Sequence, residues 1–255
     1  MRKGLLLAGA AALFPAAAEA GAWNQQKGQG QVIVKYEDVR ADEGFDPDGV
    51  VLPLPGERLD RAARLFAEYG LTDRITVQLK TDWQEGRDAF VDYSGRGLLE
   101  IGVSWQAYRD DWTAVSLYAG YAEAGEGRNA GYAAPGVGER DWEVRASAGR
   151  SFQSSGRWAP ENSFVEVQAA RRMRDGLPDE VRIDLTAGAR YGDWLLLAQA
   201  FGGATDDDGA RWLTVETSVV RDFGDWSLQA GWRDTAWGQE TAIVRGPVIG
   251  LWRRF

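Results

Sequence analysis

Lys80 and Asp82, and again Arg182 and Asp184, place opposite charges two residues apart. On a helix such residues face different ways. On a strand they share one face, where paired charges can select the sign of a passing solute without making or breaking a bond.

Other constellations offer less. The 255 residues contain neither histidine nor cysteine. That removes the commonest general base and metal ligand, and with it thiolate nucleophiles and disulfides. Envelope enzymes that depend on histidine are therefore excluded residue by residue. Paired acids can still do acid–base work, but no such pair is singled out. Asp206-Asp207-Asp208 supplies the hard oxygens that calcium takes, yet its spacing completes no ligand loop and reads as a solvated external loop. "GEGRNAG" at 125–131 is glycine-rich but lacks the lysine-serine/threonine ending of a phosphate-binding loop, and it is given no phosphate role. "FDPDG" at 45–49 reads as a turn. No metal, cofactor or catalytic residue is expected.

The elements that carry the charges follow a period of two. Ile75, Val77, Leu79, Thr81 and Trp83 alternate with Thr76, Gln78, Lys80 and Asp82, and Val181, Ile183 and Leu185 alternate with Arg182, Asp184 and Thr186. Strict alternation predicts strands with one apolar and one polar face. Twelve are predicted, at 30–38, 59–70, 74–83, 97–108, 113–122, 140–152, 160–171, 179–191, 194–203, 211–222, 226–236 and 241–253. "ERLDRAARLFAEY" at 57–69 is a helix candidate by propensity. It is kept as a strand because Leu65, Ala67 and Tyr69 alternate with Arg64, Phe66 and Glu68.

Connections take turns between tight and long. The tight ones are Leu71-Thr72-Asp73, Asp110-Asp111, Ser154-Ser155-Gly156, Gly192-Asp193 and Gly224-Asp225, of the kind that closes hairpins. The longer ones fall at 39–58, 84–96, 123–139, 172–178, 204–210 and 237–240. An even number of strands near ten residues long, with this asymmetry, is the pattern of a transmembrane barrel. Lipid satisfies no backbone group, so the sheet must close on itself. The fold class expected is therefore all-β: a closed antiparallel up-and-down transmembrane barrel of twelve strands.

A refrain of turn, Asp, Trp and alternation recurs at 107–120, 187–200 and 219–232. Of the 12 tryptophans, Trp112, Trp158, Trp194 and Trp226 follow tight turns, with Trp105 and Trp252 near the same ends. Trp83, Trp142, Trp212 and Trp237 lie near the opposite ends. Indole prefers the headgroup level, so these are expected to anchor two membrane interfaces.

The N-terminus, "MRKGLLLAGAAALFPAAAEA", has a basic start at Arg2 and Lys3, an apolar run too short to span a bilayer, and the small-x-small site Ala18-Glu19-Ala20. It reads as a signal peptide over 1–20, leaving 21–255 as the barrel and the outer membrane as the destination. Net charge is -9, which argues against nucleic acid as a partner.

"GLWRRF", ending in Phe255, resembles the bacterial outer-membrane β-barrel class, whose members typically end in an aromatic residue. The resemblance implies that Phe255 is read by the outer-membrane assembly machinery and that membrane lipid is a partner. Counting back by twos gives Arg253, Leu251, Ile249, Pro247 and Arg245, which departs from the class pattern and suggests a bulge or an edge irregularity at Gly246-Pro247 that changes the face. "DEVRIDLTAGARYGDWLLLAQAFG" at 179–202 is similar in cadence to small outer-membrane transporter barrels, including the phenol-degradation-pathway outer-membrane family.

With apolar faces to lipid, the lumen is expected to be lined by Lys80, Asp82, Glu100, Arg145, Glu166, Arg182, Asp184, Glu216 and Arg233, and less pointedly by Lys35, Arg64, Glu68, Glu143 and Arg190. The function expected is passive passage of small solutes, through a pore that the 39–58 loop narrows or blocks. The alternative is a non-transporting surface barrel whose external loops bind a partner.

Overall fold

The computed structural model describes residues 21–156 and 158–255, so the expected signal peptide lies outside the described residues. Period-two alternation dominates. The strands are β1 (Gly30–Phe45), β2 (Val51–Thr72), β3 (Ile75–Arg87), β4 (Asp92–Arg109), β5 (Thr113–Glu123), β6 (Arg140–Gln153), β7 (Asn162–Arg174), β8 (Glu180–Tyr191), β9 (Trp194–Thr205), β10 (Arg211–Phe223), β11 (Trp226–Gln239), the two-residue β12 (Thr241–Ala242) and β13 (Arg245–Arg254). Each long strand pairs antiparallel with its neighbours in sequence, and β1 pairs with both β2 and β13, which closes the sheet. β12 adds one short pairing to the end of β1. The result is a closed barrel of twelve long strands plus one short extra strand.

The segment with helix propensity is the middle of β2. Leu65, Ala67 and Tyr69 face outward, while Phe66 and Glu68 are buried inside. Tertiary pairing on both edges overrides local propensity there.

At one end the chain reverses in tight turns at 73–74, 110–112, 192–193 and 224–225. Gly192 and Gly224 take φ of 55° and 66°, open to glycine without the Cβ penalty, so two residues suffice for the turn. The connection expected at Ser154-Ser155-Gly156 is longer and runs to Glu161.

The opposite end departs most from expectation. The region 39–58 is no long loop: β1 and β2 continue through it and turn at 46–50, where the Asp46 carboxylate accepts the Asp48 and Val50 amides at 2.9 and 2.8 Å. Likewise 84–96 is strand apart from the turn 88–91. One long loop remains, 124–139.

The outer face is an apolar band. Val34, Ile101, Leu117, Val144, Ile183, Leu228 and Ile249 are all exposed there. β13 pairs with β11 straight through Gly246-Pro247, while its pairing with β1 is interrupted at these two residues and resumes at Arg245 in the same register, so the irregularity is a gap in the ladder and the strand does not change face. Its outward set is Arg245, Pro247, Ile249, Leu251 and Arg253. The arginines fall at its two ends, where Arg253 reaches Asp225 at 2.7 Å. The departure from the class pattern is thus confined to the rims.

Candidate functional site

Every inward position of the strands contributes to one lumen, and the sequence divides it into three storeys. At the tight-turn end an apolar cluster stands among buried polar residues. Ile33, Phe66, Phe164, Leu195, Leu197, Val220 and Trp252 form a buried cluster inside the barrel. This corrects the expectation of a polar interior throughout, and it corrects Trp252, which points inward and donates its indole N–H to Gln229 at 3.1 Å.

Into this storey runs the segment before β1. Trp23 packs edge-to-face on Phe164, ring centroids 6.0 Å apart. The Ala22 amide donates to Glu166 Oε2 at 2.8 Å, and the Asn24 amide donates to Gln106 Oε1 at 2.8 Å. Gln106 returns a bond to the Ala22 carbonyl at 2.7 Å, and Gln25 Nε2 donates to Glu68 Oε1 at 2.5 Å. Ala22, Trp23 and Asn24 are buried. The lumen face that alternation left polar here receives a segment of this chain.

The middle storey is a belt of ion pairs in two clusters. In the first, Lys35 and Arg233 hold Glu216 at 3.5 and 2.6 Å, while Arg233 and Arg64 hold Glu37 at 2.8 and 3.2 Å. In the second, Lys80 and Arg172 hold Glu100 at 3.1 and 2.6 Å. Arg172, Arg145 and Arg182 surround Glu143 at 2.5, 3.5 and 3.7 Å. The Tyr118 hydroxyl donates to Glu100 at 2.7 Å, and its ring carries the Arg145 guanidinium 4.4 Å from the centroid. The cations and hydrogen bonds around each buried acid offset the cost of taking its charge out of water.

All nine lumen candidates lie on the inward face, but their partners differ from those the spacing suggested. Lys80 pairs with Glu100, directly opposite it on β4. Asp82 instead accepts Gln84 Nε2 at 2.8 Å. Directly opposed side chains on adjacent strands are closer than residues two apart on one strand. Arg182 does reach Asp184, at 3.6 Å.

The storey at the loop end is built around 124–139, which the sequence marks only as a longer, glycine-rich connection. The loop folds over the mouth. Arg128 reaches Asp88 and Asp60 at 3.0 and 3.5 Å. Burial works against its charge, but Asp60, Asp88 and Tyr93 outweigh it and hold the guanidinium above its usual range. Arg174 Nη2 donates to the Asn129 carbonyl at 3.0 Å, and the Tyr132 hydroxyl donates to Glu180 at 2.7 Å. Burial and the Glu180 carboxylate push the Tyr132 phenol up. Below the loop lies a cavity of about 400 Å³, lined by loop residues, arginines and aromatic rings.

Trp212 is part of that wall. Its ring lies 5.8 Å from Tyr132, over Gly203, where a Cβ would sit 2.2 Å from the indole. This corrects its assignment to the lipid interface. Trp212 shares strand parity with the inward Glu216. Trp237 would have met the same fate as a parity partner of Arg233, but Ala236 is an unpaired extra residue that turns Trp237 outward. Trp83, Trp112, Trp142, Trp158, Trp194, Trp226 and Trp237 are all exposed, as are Trp105 and Trp232. Phe255 stacks on Tyr69, centroids 6.5 Å apart, and exchanges backbone bonds of 3.0 and 2.9 Å with Gly30. Asp206, Asp207 and Asp208 go separately to Arg171, to the Gly209 amide and to Arg211. Among the described residues no acidic cluster is placed to hold a metal.

With this geometry the chain can be set beside solved structures. It is similar to the COG4313 outer membrane channel from Pseudomonas putida F1, with 15% identity, 94% of this chain and 100% of that chain covered, and a TM-score of 0.66. The chain has the fold of a bacterial outer-membrane β-barrel. The KdgM porin matches at 6% identity over 88% of this chain and 99% of that one, TM-score 0.53. The translocator domain of the autotransporter NalP from Neisseria meningitidis matches at 10% identity over 91% and 90%, TM-score 0.55. No protein-family profile and no curated protein sequence matches.

Proposed function

We propose that residues 1–20 are removed on export and that the remainder acts in the outer membrane as a passive channel for small solutes, without catalysis. The observation that carries this reading is the cavity beneath 124–139, which reaches from the loop end to the charged belt at Arg64 and Arg172. Its polar walls inside an apolar-faced barrel suit hydrated solutes. The likeness to a structure described as an outer membrane channel and to one described as a porin supports it. The lumen residues expected from sequence would set selectivity in the belt. The outward tryptophans would anchor the interfaces, and Phe255 would serve assembly.

One observation favours a second reading, a barrel that does not transport. Residues 22–25 close the tight-turn end with three buried hydrogen bonds and a partly buried one. Under the channel reading this segment must leave the lumen for solutes to pass. Liposome swelling with the chain lacking residues 1–20 tests the proposal. Influx of small charged solutes supports it, and vesicles as tight as protein-free ones favour the second reading.

A further inference from the structure

The cavity is lopsided in what it shows a solute. In the belt the acids lie beneath the arginines, whereas nearer the mouth Asp60 is more exposed than the Arg58 and Arg128 it pairs with. The Arg64 side chain is 48% exposed while its partner Glu37 is 4% exposed. Arg182 is 30% exposed over a Glu143 that is 3% exposed, and Arg233 is 15% exposed over a fully buried Glu216. The belt is balanced on paper, but at its level what faces the cavity is guanidinium. A guanidinium has five N–H donors in a planar fork suited to a carboxylate. Arg182 meets its acids only at 3.6 and 3.7 Å, beyond hydrogen-bond length, so donor capacity remains.

Beside these cations stand three rings. The Arg233 guanidinium lies 5.4 Å from the Phe201 centroid, and Trp212 and Tyr132 lean together at an interplanar angle of 34°. Phe201 and Trp212 are only half-buried. Phe201 pairs in register with Asp184, two residues along β8 from Arg182. Arg182, Phe201, Trp212 and Arg233 therefore stand on the neighbouring strands β8 to β11, and Arg64, on β2, is joined to Arg233 through Glu37.

We propose that this vestibule binds small organic carboxylates with a flat apolar body. Arg64, Arg182 and Arg233 take the carboxylate, and Phe201, Trp212 and Tyr132 take the body. The carboxylate gains charge-assisted, bidentate bonds, and the body replaces water on exposed rings. An inorganic anion would use only the first half of the site, and a neutral arene only the second. The inference deepens the channel reading and rests on it for its meaning in transport, but binding itself requires no conduction.

The test is calorimetric titration of the detergent-purified chain lacking residues 1–20 with benzoate, benzyl alcohol and acetate. Benzoate is expected to bind at least about tenfold more tightly than benzyl alcohol, since a charge-assisted pair is worth a factor of that order, and about tenfold more tightly than acetate, since burying its ring against the aromatic side chains is worth a similar factor. Arg182→Ala and, separately, Arg64→Ala are expected to weaken benzoate about tenfold, and Trp212→Leu to weaken benzoate while leaving acetate unchanged. Boiling-dependent gel mobility establishes that each variant has folded. Equal binding of benzoate and benzyl alcohol, absence of benzoate binding, or folded variants that bind like wild type would each overturn the proposal. Benzoate binding in a barrel that never conducts would keep the site and remove the channel. Conduction without benzoate binding would do the reverse.

Discussion

The Ala22 amide donates to Glu166 Oε2 at 2.8 Å across 144 residues of sequence. The bond ties the segment before the first strand to the inner wall of β7. The Glu166 carboxylate also accepts Gln168 Nε2 at 2.6 Å. Glu166→Ala is expected to loosen residues 21–26, read as faster proteolysis of the N-terminus in detergent while the barrel itself remains resistant. An N-terminus that is cut no faster than in wild type would show that the bond does not hold the segment.

The belt should be unequal in its energetics. Glu143→Gln leaves Arg172, Arg145 and Arg182 around a neutral side chain, and breaking a buried charge set of this kind costs about 3–5 kcal/mol. Arg182→Ala removes a partly exposed cation held at 3.6 and 3.7 Å and is expected to cost no more than about 1 kcal/mol, as exposed pairs do. Reversible urea unfolding in lipid vesicles compares them, and equal losses would contradict the description of the belt.

Arg182 and Asp184 also give a selectivity prediction. If the barrel conducts, Arg182→Ala shifts preference toward cations and Asp184→Ala toward anions. Both shifts shrink at high salt, because the Debye length falls from ~10 Å at 0.1 M to ~3 Å at 1 M. Reversal potentials under a salt gradient are the readout. Unchanged potentials in both variants would place these residues off the conducting path.

The docking of the 124–139 loop should depend on acid. Burial favours the neutral Asp88 carboxyl, but the Phe90 and Val91 amides and Arg128 outweigh it and hold the group below its usual range. A depressed carboxyl stabilises above its unfolded value and loses that contribution as pH falls through the folded one. The loop should therefore stay docked at neutral pH and become protease-sensitive only below the ordinary carboxylate range. Sensitivity that rises with pH instead would reverse the sign.

Much of this was legible because lipid imposes it. The contrast of Val181, Ile183 and Leu185 with Arg182, Asp184 and Thr186 fixes a face at each position. Beyond the bilayer the contrast vanishes. Asp38, Arg40 and Asp42 point outward there, so β1 and β2 looked like a loop between 39 and 58. The position of Trp212 was readable from its parity with Glu216. That of Trp237 was not, since the extra residue Ala236 is a matter of pairing. The segment at 21–26 belongs to no strand. Its one signal was Trp23 with Asn24, Gln25 and Gln26, an aromatic ring and amides suited to an interior of mixed polarity. The loop at 124–139 has no period, and only Arg128 and Tyr132 among its glycines hinted at contacts.

The interface anchors admit their own test. In variants retaining a single tryptophan, Trp194 and Trp226 should be quenched most by lipids labelled near the headgroups. Trp212 should be insensitive to labelled lipid and reached only by a water-soluble quencher. Strong lipid quenching of Trp212 would contradict its inward placement.

Single-channel recording of the chain lacking residues 1–20, beside a variant that also lacks 21–26, tests the central claim most directly. The account predicts small, intermittent conductance for the first, and conductance several-fold larger and steadier for the second, because the lower storey is then open. No conductance from either protein, with both folded and inserted, would contradict the channel reading and leave a barrel that does not transport.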